Sequence, residues 1–280
     1  MKNNHLLGTL LIAAGIASLV AIACSKTNQA APSSLPADKQ SVSLYLTDGP
    51  GFFDHVYLDM ESVKISVDTC ASKHNHSSVM DSCLTWETLH IKPGVYDLLT
   101  LRNGVDTLLA DGQIPKGLIK QIKIELGANN SLVKSGVKYP LQIPASSSIS
   151  ISLADNEWEE FLPDQKRLWL DFVVAKSIVE VRHNEFLLVP VIHFFVKSKT
   201  GGISGFALPH DAYPVITGWM GKDTVYALPD GYGRFNMYGL KPGDYNVFIN
   251  TSNGYKDTTI NKISVKMGEV TKLDTIMLHK

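Results

Sequence analysis

The sequence predicts an all-β protein: two β-sandwich-type domains in series, behind an apolar leader and a flexible tether. Three observations carry this. Apolar residues recur at every second position in run after run, the period of a half-buried strand. Gly, Pro, Asn and Asp interrupt these runs about every ten residues, as the turns of a sandwich require. Helical periodicity is confined to one short stretch, Val105–Ala110, after Asn103-Gly104.

The leader comes first. Lys2 gives a positive start, Leu6 to Ile22 is an almost unbroken apolar run, and Ala21-Ile22-Ala23-Cys24 closes it. Small residues directly before a cysteine mark a cleaved secretory signal. The pattern resembles a bacterial lipobox, with Ala21 where Leu is usual. The resemblance implies cleavage before Cys24, lipid on Cys24, and a protein whose first partner is a membrane, at the bacterial cell envelope and on the outer membrane, facing the periplasm or the outside. The competing reading is an uncleaved anchor, since about 20 apolar residues span a bilayer. Polar Ser25–Gln29 follows, and Ala30 to Gln40 is rich in Ser, Pro and Ala without apolar period, a composition that stays a tether. The expected boundaries are 1–23 for the signal, 24–40 for the tether, 41–197 for the first domain and 198–280 for the second.

About 240 residues remain to fold, enough for one large or two modest domains. A net charge of -1 supplies no field to steer nucleic acid. In the first domain Val42, Leu44 and Leu46 alternate with Ser43 and Tyr45, until Thr47-Asp48-Gly49-Pro50-Gly51 turns the chain. Val56, Leu58 and Met60 resume the alternation, but Val63, Ile65 and Val67 sit on the other parity, which predicts a bulge near Glu61-Ser62. Leu84–His90, Gly94–Leu101 and Gly117–Leu126 read as strands. So do the runs around Ile149, Ile151 and Leu153, and Leu168, Leu170, Phe172 and Val174. Phe186–Val196 reads as one long apolar strand with Pro190 at an edge or bulge. Ser198 to Gly202 is a polar, glycine-containing joint. In the second domain Tyr245, Val247 and Ile249 share one face, and Val270–Leu278 closes the chain.

Three cysteines occur. With Cys24 assigned to the lipid, Cys70 and Cys83 form an even pair in an oxidising compartment, and one disulfide is the simplest reading. Such a loop is worth about 3 kcal/mol through unfolded-state entropy. His74 and His76 lie inside it, so a four-ligand zinc set is the alternative, at a spacing unlike a standard finger. A pair of free thiols is the third.

Gly233, Phe235, Gly239-Leu240, Pro242-Gly243, Tyr245, Val247 and Gly268 together resemble a carboxypeptidase regulatory-like domain. The resemblance covers about Thr200 to Lys280 and implies a small transthyretin-like sandwich without catalytic residues. In the first domain Leu46-Thr47-Asp48-Gly49-Pro50, Tyr96-Asp97-Leu98-Leu99, Ile114-Pro115-Lys116-Gly117, Leu170-Asp171-Phe172 and Leu188-Val189-Pro190-Val191-Ile192 resemble an uncharacterised family of bacterial lipoprotein domains. That family brings no activity with it.

Residues that could carry chemistry are few. Ser131-x-x-Lys134, Ala154-Asp155-Asn156 and Lys199-Thr200-Gly201 outline a penicillin-recognising signature, but Ala154 lacks the needed hydroxyl and Lys199-Thr200-Gly201 falls in the joint. No metalloprotease, nucleophile-elbow or phosphate-loop motif occurs, and no cofactor is expected. Glu157 and Glu159 flank Trp158, an arrangement suited to a sugar platform or a cation, although the calcium-loop spacing is missing. Asp48 beside its turn is a further binding candidate, with acceptance of local backbone hydrogen bonds as the commoner role. Asp171, between Leu170 and Phe172, is read either as an outward residue or as a buried, hydrogen-bonded one. Four Asp-Thr-apolar or Asp-Thr-Thr triplets, beginning at Asp106, Asp223, Asp257 and Asp274, resemble a bacterial O-glycosylation acceptor. The expected function is non-enzymatic binding of a partner protein or glycan, or structural support. The alternatives are a metal-assisted hydrolase built on His74 and His76, and an accessory subunit of a surface fibre.

Overall fold

The computed structural model describes residues 35–70, 83–144, 148–153 and 164–280. The described chain is all-β, as the alternation predicts. Its first half contains β1 (Lys39–Asp48), β2 (His55–Asp68), β3 (Leu84–Thr88), β4 (His90–Ile91), β5 (Gly94–Asp97), β6 (Thr107–Pro115) and β7 (Leu118–Leu126). It continues with β8 (Ser131–Lys134), β9 (Val137–Gln142), β10 (Ser148–Ser152), β11 (Gln165–Phe172), the one-turn helix α1 (Val174–Ser177), β12 (Ile178–Arg182), β13 (Glu185–Leu188) and β14 (Ile192–Phe195). One sheet has the order β14-β11-β1-β6-β4; the other runs β10-β7-β2-β8-β9-β13-β12, with β3 and β5 also paired to β2.

Val42, Leu44 and Leu46 from β1 meet Val56, Leu58, Met60, Val63, Ile65 and Val67 from β2 in one core. Each such side chain contributes about 1.5–3 kcal/mol by leaving water. The parity switch inside β2 is accommodated as the sequence predicts. Met60 pairs with Leu126 and Ser62 with Glu125 of β7, so the register slips by one at Glu61. That extra residue returns Val63, Ile65 and Val67 to the core face.

Four local expectations are corrected. Val105–Ala110 is not helical: β6 begins at Thr107, and Leu109 and Ala110 are buried in it against β1. The helical turn lies earlier, at Leu98–Leu101, where the strand expected over 94–101 stops after Asp97 caps the Leu99 N–H. Val174 opens α1 instead of extending β11. The run Phe186–Val196 is two strands: β13 joins the larger sheet and β14 the smaller, with Pro190 in the crossing segment. Pro190 offers no N–H to a ladder, while the neighbouring Val191 N–H donates to Ser177 Oγ at 2.9 Å.

The second half contains β15 (Gly201–Leu208), β16 (Val215–Met220), β17 (Asp223–Ala227), β18 (Arg234–Leu240), β19 (Gly243–Asn250), β20 (Thr258–Val265), β21 (Val270–Lys272) and β22 (Ile276–Met277). Its sheets run β18-β15-β21, with β22 also on β15, and β17-β16-β19-β20. Ile203, Ile216, Phe235, Met237, Tyr245, Val247 and Ile249 form a separate core between them. The joint is a tight turn in which the N–H groups of Lys199 and Thr200 both donate to the Val196 carbonyl. Pro36–Lys280 packs as one unit, and Gly239 shows why that packing is specific. Its φ is +70°, and a Cβ there would stand 2.7 Å from the Phe195 ring. Only glycine meets both demands.

Candidate functional site

The outer face of the five-stranded sheet carries two neighbouring rungs of opposite character. In the first, Tyr45 pairs with Trp169 and Trp169 with Phe195; the rings stack at 4.9 Å and 6.2 Å between centroids. Trp169 Nε1 donates to Asp106 Oδ2 at 2.8 Å. Lys197 Nζ donates to the same oxygen at 2.6 Å and lies 4.7 Å above the indole. In the second rung Thr47 pairs with Asp171 and Asp171 with His193. Thr47 Oγ1 donates to the carbonyls of Leu101 and Val105, at 3.2 Å and 2.9 Å, which fixes the connection carrying Arg102 and Asn103. Asn103 then reaches the second sandwich: its Nδ2 donates to the Leu228 carbonyl at 3.0 Å, and its own carbonyl accepts from Asn236 Nδ2 at 2.9 Å.

A half-open cleft of about 850 Å³ lies along this junction, lined by Asp48, Arg102, Asp171, His193, Tyr238 and Lys241 among others. Asp48 ends β1, and Asp171 lies beside it on the parallel neighbour β11. Asp48 is only 6% exposed. Both of its oxygens, and Oδ1 of Asp171, are sealed from solvent without a hydrogen-bond partner. Among the described residues no lysine or arginine donates a hydrogen bond to any of these three oxygens. The Arg102 side chain instead donates to the Leu99 carbonyl at 2.8 Å.

Burial dominates the electrostatics. Desolvation, and then the charge of Asp171, raises the Asp48 pKa well above its ordinary value; Val174 N–H and Arg102 pull the other way, and Asp97 adds to the rise. Desolvation also raises Asp171, to about 6, opposed by the Gly49 N–H. Those two backbone groups are near the carboxyls but outside ordinary hydrogen-bond geometry. The His193 pKa is lowered, first by desolvation and then by Lys241, with Asp223 opposing. The residue keeps an exposed face on the cleft while the atoms packed around its ring remove much of its hydration. Lys241 Nζ is 3.6 Å from Asp223 Oδ2.

Of the residues expected to form a site, Asp48 lines the cleft, and it lacks the local backbone bonds expected of it. Asp54, across the turn, accepts from the Gly136 N–H at 2.8 Å, a contact distant in sequence and not a local one. Cys70 and Cys83 are disulfide-bonded, beside Asp68, whose Oδ1 accepts from the Cys70 N–H. The bond takes both sulfurs out of a thiolate zinc set. Cys24, His74, His76, Glu157, Trp158 and Glu159 lie outside the described residues. Arg102 and His193 were not legible as site residues. The one signal for Asp171 was a carboxylate between Leu170 and Phe172, and its neighbour Trp169, on the same side of the strand, is itself buried.

Two sandwiches joined over a cleft with desolvated carboxyls define a modular β protein with a potential binding groove. The sequence profile of the domain of unknown function DUF4382 matches residues 39–190, more than half of the chain, and the protein belongs to this family. No curated protein matches it. Among solved structures, a cohesin–X-dockerin complex of Acetivibrio cellulolyticus is similar at 24% identity over 28% of this chain and 56% of that one, with a TM-score of 0.24; the match thus spans about half of that protein. A minor pilin of Streptococcus agalactiae aligns at 12% identity, over 85% of this chain and 95% of that one, with a TM-score of 0.22. The shaft pilin SpaA of Lactobacillus rhamnosus GG aligns at 9% identity, over 86% and 98%, with a TM-score of 0.23. Scores this low give the likenesses no weight for role.

Proposed function

We propose that the protein is a lipid-anchored, non-catalytic binding protein of the bacterial cell envelope, with an envelope glycan held in the interdomain cleft. The observation that carries this reading is the cleft itself: unpaired carboxylate oxygens at its floor, Tyr226 and Tyr238 on its wall, and Lys176, Lys222 and Lys241 at its rim. The aromatic faces take the apolar side of a sugar ring, and the lysines favour an acidic sugar. The leader supports the location: a small-residue run before Cys24 reads as a lipidation signal. The second sandwich is read as a carboxypeptidase regulatory-like module, on its Gly239-Leu240 and Pro242-Gly243-x-Tyr245 pattern.

Cross-linking on intact cells, followed by purification of the tagged full chain, tests the reading. One defined polysaccharide should be recovered from wild type, and Cys24→Ala should leave the membrane fraction. Recovery of nothing above background, or of a protein alone, counts against the glycan. Asp171, with a raised pKa in a cleft, also suits a general acid. Glycan turnover that disappears in Asp171→Asn would replace binding with hydrolysis.

A further inference from the structure

We propose that Asp48 and Asp171 hold a divalent hard cation, of the calcium class, at the floor of the cleft. The inference rests on the cleft being a binding site and not on the glycan. Its ground is an imbalance of donors and acceptors. Three carboxylate oxygens from two adjacent strand ends are sealed away without a single hydrogen bond. Buried polar atoms are almost always paired, and an unpaired buried charge is among the costliest features a fold can keep.

Protonation answers the imbalance poorly. A proton on Asp48 neutralises one charge and its O–H finds an acceptor in Asp171, but one carboxylate charge and the other Asp48 oxygen are left unpaired. A cation between the two carboxyls, which are close enough to feel each other's charge, neutralises both and gives their unpaired oxygens a partner. Three of the cations that line the cleft are engaged elsewhere: Arg102 on the Leu99 carbonyl, Lys241 beside Asp223, Lys176 over the Tyr226 ring at 5.8 Å. The donor set is all oxygen, which selects a hard ion over zinc or copper. Three protein oxygens leave the remaining positions to water or to ligand hydroxyls, so the affinity belongs to the weak class, with Kd on the order of 10⁻⁴–10⁻³ M.

The test is calorimetric titration of the metal-free full chain with CaCl₂, for wild type, Asp48→Asn, Asp171→Asn and the rim control Asp223→Asn. One saturable site in that affinity range should appear in wild type and Asp223→Asn and vanish in both floor variants. The unfolding midpoint of wild type should rise by roughly 5 °C at a hundredfold excess over Kd. Circular dichroism of the calcium-free variants, unchanged from wild type, excludes misfolding as the cause. Absence of a saturable site up to about 10 mM, or one that survives in both floor variants, overturns the proposal. Calcium binding without glycan capture would sink the glycan reading alone, and glycan capture unaffected by chelator would sink the cation alone.

Discussion

Replacing Asp171 by asparagine removes a charge from a place that desolvates it, and the structure fixes the sign and the size of the result. In the folded chain the Asp171 pKa stands near 6 against an ordinary 3.8. Below about pH 3.8 both folded and unfolded chains carry the proton, and the site is neutral in its effect. Between there and pH 6 the unfolded chain loses its proton first, so the folded state binds more protons and stability falls as pH rises. Above pH 6 the penalty is complete. A rise of about two units corresponds to about 3 kcal/mol. Asp171→Asn should therefore gain about 3 kcal/mol relative to wild type between about pH 3.5 and pH 7, or roughly 6–12 °C in unfolding midpoint for a chain of this size. The assay is thermal or urea unfolding in chelator, read as the difference between variant and wild type at each pH, so that remote titrating groups cancel; Asp48, which feels the charge of Asp171, is removed from the comparison by repeating the pair in an Asp48→Asn background. Arg102 and Asp97 act on the neighbouring Asp48, and His193 faces Asp171 from β14; repeating the pair in a His193→Gln background removes a neighbour that titrates in the same window. A difference that stays flat across this range, or that grows toward low pH, would refute the reasoning.

Three further outcomes are expected. Reduction of Cys70–Cys83, which closes a loop of sequence separation 13, should cost about 3 kcal/mol, read as a lower unfolding midpoint in reductant that is absent in a Cys70→Ser/Cys83→Ser protein. Ile65→Ala, at a fully buried core position, should cost about 2–5 kcal/mol by leaving a cavity; a denaturation midpoint close to wild type would mean the two sheets collapse onto the gap. Gly239→Ala forces a left-handed alanine, costing about 1–2 kcal/mol, and drives its methyl into Phe195. Tryptic cleavage at Lys197 or Lys199 should quicken as the two sandwiches loosen, and unchanged cleavage would count against Gly239 as the point of close approach.

The strands were legible because their cause is local. Core-facing residues at every second position dictate β1 and β7, and the one-residue parity change at Glu61-Ser62 dictated the bulge in β2. Val105–Ala110 misled because so short a run cannot separate the two periods; pairing with β1, distant in sequence, decided the matter. Phe186–Val196 misled because an apolar run does not say which of two sheets each half joins. The cleft was hidden for a stronger reason. Thr47, Asp171 and His193 lie on the face opposite the first core, where alternation alone assigns a residue to solvent. Burial there comes from what covers that face, and the cover includes side chains far along the chain, such as Tyr238 and Lys241 of the second sandwich.

That dependence links the cleft to the docking of the two halves. The Phe195 end of the aromatic rung Tyr45–Trp169–Phe195 is covered by the second sandwich, with Gly239 against its ring. The polar rung Thr47–Asp171–His193 is the next along the same face, and Gly239 lines the cleft together with Asp171 and His193. The raised Asp171 pKa is then a reporter of docking as well as of burial. Gly239→Ala, by pushing Phe195 away, should admit water to the polar rung. The stability gained by Asp171→Asn near neutral pH should then be smaller in the Gly239→Ala background than in wild type, a comparison made by unfolding all four proteins of the double-mutant cycle at each pH. If the two substitutions proved additive at every pH, the Gly49–Pro50 turn alone would be keeping Asp171 dry, and the two rungs would be neighbours without being coupled.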